Sequence, residues 1–225
     1  LLTLIQFTHI LDFVIMMPLG PQLIRIMNIT PREFSLMVTA YTFSAAIFGL
    51  VSAFFIDRFD RKFSLQFLYV GFILGTFLCG IAPNYPWLVA GRIIAGSFGG
   101  ILGGLIFSMI GDTIPFERRG LATGKIMSAF SLASVIGVPI GLSLANFFNW
   151  HAPFRILGLF SALVFLLTFK FIPHLNAHLK NKNKENELTN VIEIFKDKNH
   201  LWAFLQMCIL MFGSFTIIPF ISPVM

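Results

Sequence analysis

Apolar residues run through this chain in blocks of about twenty or more, and charged residues fall almost entirely between the blocks. No Asp, Glu, Lys or Arg occurs in residues 35–56, 63–91, 93–111, 126–150 or 199–225. About 20 mostly apolar residues, at a rise of ~1.5 Å each, cross the hydrocarbon of a bilayer. Backbone groups there find no water, so each run must satisfy its own hydrogen bonds as a helix. The pattern predicts helical spans over 1–25 (broken or bent near Pro18 and Pro21), 34–57, 63–82, 87–112, 119–148 and 153–173, and a seventh from His200 onward. Pro83-Asn-Tyr-Pro86 reads as a tight turn between the third and fourth spans.

Residues 174–199 break the pattern, with Asn, Lys and Glu replacing Phe, Leu and Ile. Within them Leu188, Val191, Ile192 and Phe195 recur at helical spacing, opposite Glu187, Glu193 and Lys196. Such an amphipathic helix suits a membrane surface or the side of a bundle. The chain thus divides into a six-helix transmembrane domain (1–173), a linker (174–199) and a truncated seventh span (200–225). It begins and ends inside spans, which reads as a fragment of a longer protein.

Composition sharpens this picture. Hydrophobic residues make up 56% and charged residues only 12%, too little polar surface to coat a soluble domain of this size. The net charge of +6 would suggest nucleic acid in a soluble chain, but its distribution excludes that. Lys and Arg cluster at 58–62, 118–125 and 170–198, alternate loops of the predicted bundle. This positive-inside bias places those loops, and the N-terminus, in the cytoplasm. Cys79 and Cys208 fall within apolar spans and lack metal-type spacing, so both read as small interior residues. No nucleophile, metal or phosphate motif is visible, so neither an enzyme nor a cofactor is expected.

The few charges inside the spans carry the functional signal. Asp12 lies mid-span, and an acid near the bilayer centre costs about 2.5–3.5 kcal/mol on insertion scales, so it faces the bundle interior or a watery cavity. Its bland alternative is a hydrogen bond to a neighbouring helix. His9, one turn away, is placed to share a proton with it. Arg92 is the second intruder and always carries its charge; its alternative is snorkelling to the outer interface. Counting a straight helix from Arg25 puts Asp12 about 20 Å below the outer surface, and Arg92 less than about 10 Å below it. That count argues against a direct ion pair and for coupling through water, substrate or Tyr41. Asp57 and Asp112 close the second and fourth spans, where the helix dipole disfavours a carboxylate. Neighbouring cations, Arg58, Arg61 and Lys62 for one and Arg118 and Arg119 for the other, are the local compensators.

Several of these segments resemble motifs of the major facilitator superfamily, and within it the drug and sugar efflux transporters of the proton-antiporter type. Ala53-Phe-Phe-Ile-Asp57-Arg58-Phe-Asp60-Arg61-Lys62 is similar to the family's Gly-x-x-x-Asp-Arg-x-Gly-Arg-Lys loop, with Ala53 and Asp60 at its two glycines. Asp at the second position tolerates the left-handed backbone that a turn glycine would use. Leu88-Val-Ala-Gly-Arg92-Ile-Ile-Ala-Gly96 resembles the fourth-helix motif, with Ala95 at its usual Gln. Asp112 through Arg119-Gly120 resembles the loop that follows. Ser134-Val-Ile-Gly137-Val-Pro139-Ile-Gly141 is similar to the fifth-helix antiporter motif, with Val138 between its Gly and Pro. Leu11-Asp12-Phe13 through Pro18 resembles the first-helix acid motif.

The resemblance implies an all-α membrane protein, a six-helix bundle forming the N-terminal half of a twelve-helix transporter, built from paired three-helix units. It implies that Asp12 and Arg92 line a central cavity and that Asp57, Arg61 and Asp112 belong to a cytoplasmic gating network. The function it implies is export of a drug-like or sugar-like small molecule by proton antiport. A facilitator or symporter of the same fold is the nearest alternative, and a non-transporting sensor or inactive half is one of another class. The expected partners are substrate, protons, the lipid of the cell membrane and the missing C-terminal half, with no nucleic acid.

Overall fold

A computed structural model describes residues 1–172, 197, 198, 200–206, 208 and 209. The described chain is all-helical: α1 (Leu2–Val14), α2 (Gly20–Met27), α3 (Pro31–Ser52), a 3-10 turn (Ile56–Arg58), α4 (Arg61–Ile81), α5 (Tyr85–Thr113), α6 (Phe116–Leu132), a π turn (Ala133–Gly137), α7 (Val138–Phe147) and α8 (Ala152–Phe171). Among the described residues, five helices are long and apolar enough to cross a membrane: α3, α4, α5, the joined α6–α7, and α8. The fold class therefore agrees with the hydrophobic pattern.

Of the two forms expected for the first span, broken or bent, it is broken: α1 stops at Val14 and α2 starts at Gly20, because Pro18 and Pro21 lack the N–H groups that would continue the ladder. One expectation is corrected: Asp57 does not close a helix. The second span ends at Ser52, and Asp57 lies in the 3-10 turn beyond it.

Local chemistry explains most boundaries. Asn28 takes the left-handed conformation that ends α2 (φ 52°), which Asn tolerates better than most residues. Thr30 and Glu33 then form a reciprocal capping box at the start of α3, satisfying N–H groups that the first turn leaves open. Asp60 caps α4 by accepting from the N–H groups of Lys62 and Phe63. Its backbone is extended, with φ −55°, so the expected left-handed turn is absent and the carboxylate serves as a cap. In the fifth span Pro139 cannot donate, and the helix widens before it, with the Val138 N–H reaching Ala133 O. Such π turns absorb the misfit without ending a helix.

Packing centres on α5. Helices α3 and α4 both lie along it, α8 packs on α4, and α1 lies against α6 and α8. Gly96 and Gly100 bring α5 against Tyr41, Ser44 and Ala45 of α3. Gly137 admits Leu11 of α1, and Gly141 admits Ile15 just beyond its end. In lipid the hydrophobic effect gives helices little drive to associate, so close approach at small residues supplies the dispersion contacts.

At Gly75 an added Cβ would strike the backbone of Ala95, which cannot swing aside. Gly75→Ala is therefore expected to cost about 1–3 kcal/mol by overpacking, measured as a lowered thermal transition in detergent. A variant melting with wild type would show that the α4–α5 seam can shift.

The chain divides into two compact units, Leu1–Lys180 and Asn181–Met225. In the second, residues 200–206 are helical, and His200 Nδ1 lies 2.9 Å from Asp197 Oδ2. The amphipathic linker helix and the rest of the seventh span fall outside the described residues.

Candidate functional site

Asp12 and Arg92 meet directly, contrary to the depth count. Arg92 Nη1 lies 2.7 Å from Asp12 Oδ2, and both side chains are fully buried. The reason is the break in the first span. Asp12 is two residues from the C-terminal end of α1, not thirteen from a distant terminus, and it meets Arg92 in the N-terminal part of α5.

The break also frees a second acceptor. Asp12 O is among the last four carbonyls of α1, which lack an intrahelical N–H, and Arg92 Nη1 donates to it at 3.1 Å. The guanidinium thus faces a carboxylate and the negative end of a helix dipole together. Thr76 of α4 donates to the other carboxylate oxygen at 3.2 Å. The Tyr41 ring lies against the cation, 4.3 Å from centroid to Cζ, a favourable approach of cation to π-face.

Tyr41 therefore joins the pair as a ring under Arg92, and His9 lies one helical turn from Asp12 with its ring edge toward Phe72. Thr76 escaped the sequence reading. The one signal was a polar residue in an otherwise apolar span, and threonines bonding their own helix give the same signal.

A second network lies near the other end of α5. Arg61 bridges two carboxylates, through Nη1 to Asp57 Oδ1 at 2.6 Å and through Nε to Asp112 Oδ2 at 2.8 Å. Its side chain is only 7% exposed, which separates it from an ordinary surface pair. This corrects the expected compensation of Asp112 by Arg118 and Arg119. Helices α4 and α5 are adjacent and antiparallel, so the first residue of α4 falls beside the last turn of α5. Arg119 instead donates to the carbonyls of Gly111 and Ile114, capping the negative end of α5. Lys62 does the same for α8, donating to Phe169 O at 3.2 Å. Arg58 lies in the turn beside Asp57. Gly137, Pro139 and Gly141 form no part of either network; they shape the crossing of the fifth span with α1.

These features define a polytopic helical membrane protein with a buried ion pair inside its bundle. The profile of the Major Facilitator Superfamily matches residues 2–225, and the chain belongs to that family. Among its relatives are an uncharacterized MFS-type transporter of Bacillus subtilis (strain 168), 27% identical, and a probable sugar efflux transporter of Helicobacter pylori (strain P12), 26% identical. Each match covers 84% of this chain and 47% of the relative, so the chain spans about half the length of the curated relatives it matches.

Among solved structures, the proton:xylose symporter XylE with a bound bromo-deoxyglucose superposes with TM-score 0.71 at 16% identity, over 85% of this chain and 47% of that one. A peptide transporter POT in complex with sulfate gives TM-score 0.69 at 16% identity, over 99% and 48%. At these identities the likeness concerns the fold.

Proposed function

We propose that the whole protein is a secondary transporter that exports a small molecule, sugar-like or drug-like, in exchange for protons by alternating access. The observation that carries this reading is the fully buried Asp12–Arg92 pair. Charges inside a span are costly and are kept where they move ions or protons. Protonating Asp12 removes the charge that Arg92 faces, leaving the guanidinium with the Asp12 carbonyl and the Tyr41 ring. Neutralising one partner thereby changes the energy of the local arrangement, which lets proton binding bias one conformation over another. A relative named as a probable sugar efflux transporter supports export and a sugar-like cargo.

The test is transport by the whole protein in liposomes, using a panel of labelled monosaccharides. An imposed pH gradient should drive one of them out, with protons moving the opposite way. Asp12→Asn should abolish this drive while leaving substrate exchange in place. Protons moving with the sugar would establish symport, and efflux in Asp12→Asn at the wild-type rate would remove Asp12 from the mechanism.

The proposed membrane is the cell membrane, with the N-terminus and residues 174–199 cytoplasmic, supported by the lysine distribution. Single cysteines at Asn84 and Asn181 should report this with a membrane-impermeant reagent on intact cells. Position 84 is expected to label and position 181 to stay unlabelled; labelling at 181 reverses the orientation.

A further inference from the structure

Polar side chains are scarce along the spans, yet three of them line one cavity. It has a volume of about 510 Å³ and lies between α2 and α7, at the end of the bundle opposite the Arg61 network. That size falls within the ~300–1,000 Å³ usual for small-molecule sites. The break in the first span builds one wall. Because the chain restarts at Gly20 as a separate short helix, Gln22 and Arg25, three residues apart, share one of its faces. Leu142 and Asn146, four residues apart on α7, form the facing wall. Gln22 Nε2 donates to Ala145 O at 3.4 Å and ties the two walls together. Pro18 and Pro21 add apolar surface.

Charge decides what the cavity takes. Arg25 is exposed and has no ion pair or hydrogen bond among the described residues. Arg155, at the same end of the bundle, is held by Gly80 O instead. Acids that could balance Arg25 are missing. Glu33 is the only Asp or Glu in residues 13–56, and none occurs in 61–111 or 118–184. The Glu33 carboxylate is itself taken up by Thr30. The place of Arg25 in the last turn of α2 suits the helix dipole, but the dipole gives no reason for two amides beside it.

The lining selects a ligand class. A guanidinium without a counter-charge favours an anion, and its planar fork matches a carboxylate. Asn146 can donate and accept, and Gln22 keeps its side-chain oxygen to accept, a pattern that suits neighbouring hydroxyls. The two prolines and Leu142 offer an apolar surface to the C–H face of a ring. A carboxylate, hydroxyls and a C–H face together describe an acidic sugar.

Resting on the reading of the whole protein as an exporter of a sugar-like molecule, we propose that this cavity is a second binding site for the cargo, and that the cargo is a sugar acid of the hexuronate class. Arg25 holds the carboxylate, while Gln22 and Asn146 hold hydroxyls. Neither Asp12 nor Arg92 lines the cavity, so it is a station for release on the side proposed as outer, apart from the coupling pair.

Ile26 also lines the cavity and is exposed, which makes Ile26→Cys a local reporter. Its reaction with a neutral maleimide is measured on the whole protein in phosphatidylcholine nanodiscs, with other reactive cysteines replaced. Neutral lipid leaves Arg25 no anionic headgroup to bind. Glucuronate is expected to protect Cys at this position, at concentrations about tenfold or more below those glucose needs, since hydrogen bonds to charged groups are the stronger ones. Adding Arg25→Gln should remove that margin, and an unchanged labelling rate without sugar shows that the variant is folded. Equal protection by glucose, no protection by either sugar, or full glucuronate protection in Arg25→Gln overturns the acidic site. Transport in liposomes separates this from the exporter reading. Arg25-dependent protection without proton-driven efflux keeps the site and removes the exporter. Proton-driven efflux that Asp12→Asn abolishes, with no glucuronate protection at position 26, keeps the exporter and removes the site.

Discussion

Arg92→Met is expected to destabilise the protein by about 3–5 kcal/mol, because it strands the Asp12 carboxylate in a dry interior. Methionine replaces much of the arginine stem, so the loss is chiefly electrostatic. Thr76 would still donate to the carboxylate, but one neutral hydrogen bond cannot replace an ion pair at 2.7 Å. The double variant Arg92→Met with Asp12→Asn should recover most of that loss, since replacing both members of a buried pair is often near neutral. Unfolding measured on the two single variants and the double closes the cycle. A single Arg92→Met variant as stable as wild type would show that water already solvates Asp12. Failure of the double variant to recover would show that Arg92 acts through the Asp12 carbonyl and the Tyr41 ring instead.

The second large effect is expected at the other end of α5. A solvent-exposed ion pair contributes only about 0.2–1 kcal/mol, but Arg61 is nearly buried and bridges two carboxylates. It ties the turn after α3 to the last turn of α5 through the first residue of α4. Resemblance to the family's gating loop suggests that this unit latches the cytoplasmic side shut when the protein opens outward. If so, Arg61→Ala should shift the balance of states toward inward-open forms by about tenfold or more, the equivalent of ~1.4 kcal/mol. Asp57→Asn should shift it less, because Asp112 still holds the guanidinium. Accessibility of a cysteine in the cytoplasmic cavity, measured beside transport turnover in the whole protein, reads both. Wild-type accessibility and turnover in Arg61→Ala would reduce the network to a structural tie.

The spans themselves are legible because lipid leaves a chain so few choices. An apolar run of that length must close its own hydrogen bonds, so helix follows from composition. Single charges were legible for the same reason. Asp12 and Arg92 stand out against runs that tolerate almost none.

What those charges touch was not legible. Whether Asp12 reaches Arg92 depends on where the first span breaks; the prolines mark the region, but α1 already ends at Val14, four residues before Pro18. The count along a straight helix therefore argued against the contact that forms. Asp112 has two arginines within seven residues, yet its partner is Arg61, fifty-one positions away. Thr76 looks like any threonine in a span until α4 turns it toward Asp12. The sequence by itself determined how many charges must be hidden and on which helices. Only the tertiary structure decided how they pair, because pairing depends on where each helix starts and which face it turns inward. Both are settled by glycines such as Gly75 and Gly96 packing against other helices, not by the spacing of residues along one.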